Sequence, residues 1–124
     1  MIKREAKWNT LWNEYVRLCN RKGIYFYYEL KQTEKDSLSY SAIEQHQIDG
    51  LLSLKKYGFV WKLSDQDQRQ KPCDGINTPP LPSYLVIKFP DGFYMIEISV
   101  LMQEKNKSLT VKRAREISEK VIHF

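Results

Sequence analysis

Two stretches, Ile24-Tyr-Phe-Tyr-Tyr-Glu-Leu-Lys-Gln32 and Ser41-Ala-Ile-Glu-Gln-His-Gln-Ile48, follow one another across a short polar connection, and the change of period between them decides the fold class. The first is dense in aromatic residues and β-formers and reads as a strand. A period of two places Ile24, Phe26, Tyr28 and Leu30 on one side and Tyr25, Tyr27, Glu29 and Lys31 on the other. In the second stretch Ser41 and Glu44 have capping-box spacing, so a helix is predicted from about residue 42 to 56, stopped by Gly58. Its apolar stripe is Ile43, Ile48, Leu51, Leu52 and Leu54; helical stepping sets Gln47 inside that stripe and His46 at its margin. A glutamine so placed needs hydrogen-bond partners. It either caps a nearby strand carbonyl or points into a polar site.

Upstream, residues 3 to 22 carry Trp8, Leu11, Trp12, Tyr15, Leu18 and Cys19 at three-and-four spacing, the pattern of an amphipathic helix ending before Gly23. Glu5 falls on the same face, where it either frays into solvent, favoured there by the helix dipole, or looks inward at a positive group. Downstream, residues 59 to 64 alternate as a second strand. The segment 65 to 82 holds four of the five prolines and no apolar period, and reads as a long loop, mobile or functional. Residues 83 to 89 and 93 to 100 form two strands about a Pro90-Asp91-Gly92 turn, the first apolar on both sides and suited to a sheet centre. A last helix opens near Ser108 or Thr110, with Val111, Ala114, Ile117 and Val121 inward. The order α-β-α-β-loop-β-β-α is that of one α/β domain over residues 1 to 124, a small mixed β-sheet flanked by helices.

A chain of 124 residues, 42% hydrophobic and 28% charged, is long enough to bury a single core without disulfides or a structural metal. Cys19 and Cys73 stand far apart without histidines at ligand spacing, so they read as apolar fillers. No apolar run approaches the ~20 residues that cross a bilayer, and no secretory leader is apparent, so a cytoplasmic protein with no membrane partner is expected. Twenty Lys and Arg against fifteen Asp and Glu give +5, which favours a polyanionic partner. The basic side of the last helix, Lys112, Arg113 and Arg115, lies against phosphates or is a solvated face.

Glu29-Leu30-Lys31 carries the chemistry. Two positions apart on a strand, a carboxylate and an ammonium project side by side, so the acid can hold a divalent ion while the lysine offers charge to a phosphate. Phosphodiester hydrolysis needs both: a nucleophile made at neutral pH, and cations against the oxygens that gain charge. The same pair also suits a surface ion pair.

In its context the chain resembles the PD-(D/E)XK nucleases. The residues that carry the likeness are Tyr28-Glu-Leu-Lys-Gln-Thr33, Gln45-His-Gln47, Lys71-Pro-Cys-Asp-Gly75, Tyr84-Leu-Val-Ile-Lys-Phe89, Gly92-Phe-Tyr-Met-Ile-Glu97 and Ser108-Leu-Thr-Val-Lys-Arg-Ala-Arg-Glu-Ile117. Within that superfamily the order is most similar to RecU-type and phage Holliday-junction resolvases. The resemblance implies a restriction-endonuclease-like core acting as a metal-dependent endonuclease on branched DNA, in a bacterial or virus-infected cell. It maps Glu29 and Lys31 onto the Glu-x-Lys pair, Glu5 onto the first-helix acid and Gln47 onto the motif glutamine.

One departure matters. The family has an aspartate on a strand roughly a dozen residues before Glu-x-Lys, and that interval here lies in the first helix, with only Glu14 on its polar side. Asp74 supplies the missing ligand if the long loop folds back beside the first strand; otherwise it opens an Asp-Gly turn. A competing assignment joins Asp74 to Glu97, where Ser99 replaces the lysine and Lys31 or Lys88 must reach over.

The expected function is therefore a Mg²⁺-dependent endodeoxyribonuclease, Mn²⁺ being an alternative. Glu29 and Asp74 are the metal ligands, Lys31 faces the nucleophile and phosphate, and Gln47 and Glu5 support them. A homodimer is expected, because cutting two strands symmetrically calls for two sites about a twofold axis. Arg17, Arg21, Lys22, Lys112, Arg113 and Arg115 are the candidates for DNA-backbone contacts. The rivals are a non-catalytic DNA-binding or assembly module on the same fold and a protein-interaction domain that uses the tyrosine-rich strand.

Overall fold

The computed structural model describes residues 2–62, 73–104 and 107–124, with side chains from Trp8 onward. Helix α1 (Ile2–Arg21) is followed by strand β1 (Tyr27–Gln32), β2 (Ser37–Ser39), a 3-10 turn (Tyr40–Ala42) and helix α2 (Gln45–Tyr57). Then come β3 (Phe59–Lys62), β4 (Gly75–Thr78), β5 (Ser83–Phe89), β6 (Gly92–Glu97), the short helix α3 (Ile98–Leu101), β7 (Ser108–Thr110), α4 (Val111–Ile117) and β8 (Lys120–His123). The protein is thus a mixed α/β fold.

The main sheet has the order β1-β5-β6-β8, with β1 parallel to β5 and the other neighbours antiparallel. Strand β5 is buried at every position, as its two-sided apolar sequence predicts. Leu85, Ile87 and Phe89 pack with Tyr94 and Ile96 of β6 under Leu51 of α2, Ile98 of α3 and Ala114 of α4. Tyr84 and Val86 pack with Phe93 and Met95 under Trp12 of α1. The sheet therefore separates two apolar layers, α1 on one face and the remaining helices on the other. Lys88, on the α1 side of β5, is buried with its ammonium 3.0 Å from the centre of the Trp8 ring, a contact in which the ring face takes part in offsetting desolvation.

Several elements differ from the sequence reading for identifiable reasons. Helix α1 packs through Trp8, Trp12, Tyr15, Val16 and Cys19, whereas Leu11 and Leu18 are exposed. Trp12 sets the direction, its ring meeting those of Tyr15, Phe26, Tyr28 and Phe93; Leu11 then lies about 100° round the helix, beyond the contact. Of the two cysteines, Cys19 is a buried filler and Cys73 is exposed. Strand β1 begins at Tyr27, not residue 24, because the Ile24 amide closes the end of α1 on the Cys19 carbonyl.

The polar 33–40 connection contains β2, which pairs antiparallel with β7. Helix α2 starts later than the Ser41 box requires: Ser39 caps the 3-10 turn, and Glu44 is the cap of α2 with Gln47 as its reciprocal partner. Gly58 ends α2 as predicted, at φ 78°; a Cβ there would stand 2.3 Å from the Thr78 carbonyl oxygen.

The long 65–82 loop is replaced in part by β4, which forms a separate antiparallel hairpin with β3; residues 63 to 72 lie outside the described residues. The strand expected to reach Val100 stops at Glu97, whose carboxylate accepts the Ser99 amide at 2.8 Å and starts α3. Helix α4 ends at Ile117, and Val121 belongs to the added edge strand β8, opposite Tyr94. No helix among the described residues is long and apolar enough to cross a membrane.

Truncating Ile96, fully enclosed between β5 and the α2–α4 layer, is expected to cost roughly 2–5 kcal/mol of unfolding free energy. Leu18→Ala on the exposed side of α1 should shift it by less than about 0.5 kcal/mol. Urea titration of both variants checks the placement of the two faces.

Candidate active site

The two-residue alternation of β1 directs Tyr27, Glu29 and Lys31 toward the α2 side, opposite Ser83, Leu85 and Ile87 of β5. The other set, Phe26 and Leu30, packs toward Trp12. Glu29 and Lys31 thus share a face, half-buried on an edge strand of the main sheet and beneath the first turn of α2.

Gln47 is the third helical residue of α2, and both ends of its amide are committed. Its Oε1 accepts the Glu44 amide hydrogen at 3.3 Å, and its Nε2 donates to Glu29 Oε1 at 2.9 Å. Only glutamine serves both partners at this length: glutamate lacks the donor, leucine lacks both groups, and asparagine is a methylene shorter. Of the two roles open to Gln47, the structure has it hold the strand carboxylate. Among the described residues, Glu29 takes no other side-chain hydrogen bond and Lys31 enters no ion pair. His46 is exposed, its Nδ1 3.1 Å from Glu44 Oε2.

Asp74 immediately precedes β4 and is exposed. Its hairpin is rooted on the same strand as Glu29: the Tyr27 hydroxyl shares a short hydrogen bond with Thr78 Oγ1 and donates to the Pro79 carbonyl at 3.0 Å. Of the described part of the loop, Thr78 and Pro79 meet β1 at Tyr27, and Asp74 lies four residues before Thr78. The structure brings Gln47, Glu29 and Lys31 together and carries Asp74 on the adjoining element, outside that bonded group. Among the described residues no cluster of three or more His, Cys, Asp or Glu side chains has the geometry to hold a metal ion.

Glu97 is engaged elsewhere. Its Oε1 lies 2.6 Å from Lys55 Nζ, which also donates to Ser99 Oγ at 2.6 Å, while Oε2 caps α3. Burial alone raises the Glu97 carboxyl, but the Lys55 hydrogen bond and the Ser99 amide outweigh it and hold the group below the usual range. Of the two lysines that the competing Asp74–Glu97 assignment needs to reach over, Lys31 is on the α2 side of β1 and Lys88 is buried over Trp8 on the α1 side. Sequence reasoning missed Lys55, although it stands seven residues after Ile48 on the same helical face. It missed the anchoring role of Tyr27 as well, for which the sequence holds no signal.

The side chain of Glu5 lies outside the described residues. The basic candidates divide between two layers: Arg17, Arg21 and Lys22 are exposed at the end of α1, while Lys112, Arg113 and Arg115 belong to α4 across the sheet. Arg113 forks onto Glu104 at 2.7 and 3.0 Å and also meets Glu116 at 2.9 Å. Its pKa is raised by those carboxylates. Arg115 lies 3.3 Å from the Tyr94 hydroxyl and 3.4 Å from Asp91.

No family model fits the chain, and none of the curated proteins searched is similar to it. The site is therefore interpreted from its own geometry.

Two measurements follow. Gln47→Ala loses a cap and a carboxylate partner and should cost about 1–2 kcal/mol. Gln47→Glu faces Glu29 with a second carboxylate, so its melting temperature should fall at neutral pH and recover in acid, where the pair shares a proton. For Glu97 the folded carboxyl is depressed, so its contribution is present above the ordinary value of 4.5 and vanishes as pH drops through the folded value. Thermal melts from about pH 6 to pH 3 should therefore decline less steeply in Glu97→Gln than in the unmodified protein.

Proposed function

We propose that the protein is a metal-dependent DNA endonuclease that hydrolyses phosphodiester bonds in branched DNA, built on a nuclease-type α/β core and working as a homodimer. The observation that carries this reading is the Gln47–Glu29 hydrogen bond, which fixes a strand carboxylate beside Lys31 at the amino end of a helix. Such an end favours negative charge nearby. The net charge of +5 and the motif resemblance agree with a polyanionic substrate.

The donor set fits Mg²⁺ or Mn²⁺ in kind. A hard cation of this size is held through one or two carboxylates, with waters and substrate oxygens completing its shell. Gln47 engages only one Glu29 oxygen, and Asp74 offers an exposed carboxylate on the hairpin rooted at Tyr27. When bound, the metal supplies Lewis acidity at the scissile phosphate. The chain's own residues do the rest. Glu29 and Asp74 would hold the ion, with Gln47 keeping Glu29 in one direction and Lys31 setting an ammonium against the phosphate oxygens as their charge grows. Arg17, Arg21, Lys22 and Lys112 contact the DNA backbone; Arg113 and Arg115 already have carboxylate partners and contribute less.

Labelled four-way junctions and linear duplex, incubated with Mg²⁺ or with chelator, test the proposal. Nicking of the junction should require the metal. Lys31→Ala and Glu29→Ala should each reduce it by about 10²–10³-fold, the scale of losing one preorganised charge partner. Glu97→Ala should reduce thermal stability and leave the metal requirement intact. Junction binding without cleavage would identify a non-catalytic DNA-binding module; no binding at low salt would remove the nucleic-acid reading.

A further inference from the structure

Tyr27 carries one polar atom more than its place in the core requires. Its ring packs against the core on the α2 side of the sheet, the side that displays Glu29 and Lys31, and a phenylalanine ring would fill that place as well. The hydroxyl has a different use. It donates to the Pro79 carbonyl at 3.0 Å and shares a short hydrogen bond with Thr78 Oγ1, which in turn lies 3.4 Å from the Phe59 carbonyl oxygen. The Tyr27 amide donates to the Pro82 carbonyl at 3.0 Å. One residue of β1 therefore makes three bonds to the segment at the end of β4. Gly58 passes close under the same segment, since a Cβ there would strike Thr78, Pro79 and Pro80.

We propose that Tyr27 is a positioning residue for the metal site: its hydroxyl fixes the direction of β4 relative to β1, and through that direction the approach of the Asp74 carboxylate to an ion held by Glu29. The proposal rests on the metal-dependent reading of the site, with Asp74 as second ligand, and specifies what aims that ligand. Asp74 lies four residues before Thr78, about 13 Å along an extended strand, and Glu29 lies two residues after Tyr27, about 7 Å along β1. Strand β4 is thus a lever with its root at Thr78. At that length a turn of ~4° at the root moves the far end by ~1 Å.

Coordination is intolerant of such errors. Mg²⁺ demands near-ideal octahedral oxygens at about 2.0–2.1 Å, and the groups that orient its ligands are typically worth about 10–100-fold in metal affinity. Glu29 is aimed by the Gln47 amide. A carboxylate at the end of a lever has to be aimed from the root, and the root is bonded to β1 through the Tyr27 hydroxyl. Tyr27 and Gln47 then serve the two acids in parallel, each by a hydrogen bond that the apolar packing does not need.

The test titrates the full chain, stripped of metal and without DNA, with Mn²⁺, following the free ion by electron paramagnetic resonance. Tyr27→Phe and Asp74→Asn should each weaken Mn²⁺ binding about tenfold. The double variant should bind no more weakly than Asp74→Asn alone, because a residue that acts through Asp74 has nothing left to act on. Thr78→Val removes the same bond from its other partner and should match Tyr27→Phe, which keeps the test open should either variant fold poorly. Melting in chelator reads the structural share separately. A folded Tyr27→Phe with unchanged Mn²⁺ affinity, or a double variant clearly weaker than Asp74→Asn, would overturn the proposal. Mn²⁺ binding that Glu29→Gln abolishes but Asp74→Asn leaves intact keeps the metal site and removes the positioning role; no Mn²⁺ binding by the unmodified protein removes both.

Discussion

Strand β5 is buried at every position, and that single condition organises the molecule. A strand apolar on both sides must be covered twice. Trp12 and its aromatic neighbours cover one side, and the helices that follow cover the other. The parallel pairing of β1 with β5 adds a second demand, because parallel strands need a long crossover. Helix α2 lies within that crossover and so lands on the face of β1 that displays Glu29 and Lys31. The candidate site thus follows from the way the core is closed.

Gln47 turns this arrangement into chemistry. A half-buried strand carboxylate gains from a hydrogen-bond donor, and a helix start leaves amides unsatisfied. One glutamine answers both needs, accepting from the Glu44 backbone and donating to Glu29. Because its donor holds one carboxylate oxygen, Glu29 is fixed in direction. The Lys55–Glu97–Ser99 group does comparable work at the other end of α2, where it joins that helix to the start of α3. One acid is held by a neutral amide beside a lysine that enters no ion pair among the described residues, the other by an ammonium.

Much of this was legible in the sequence. The alternation of residues 26 to 31, the two-sided burial of β5, the hairpin at Pro90 and the stop at Gly58 rest on local periodicity and turn chemistry, and the structure agrees. The inward position of Gln47 was legible too, since it depends only on helical stepping. What escaped the reading depends on contacts distant in sequence. The polar β2 gains strand character only from β7, nearly seventy residues later. β8 forms because β6 has an open edge. The start of α3 reflects Glu97 turning back onto the Ser99 amide, which a run of apolar residues conceals. Thr78 and Pro79 meet the strand of Glu29 because a tyrosine hydroxyl bonds residues fifty-one and fifty-two positions away.

That tyrosine root has a further consequence. The β3–β4 ribbon is fastened at its base, by Tyr27 on one side and by the tight passage of Gly58 under Thr78 on the other. The described strands of the ribbon reach the main sheet through Thr78 and Pro79. The ribbon is thus carried by the body that presents Glu29 without its strands entering either apolar cluster.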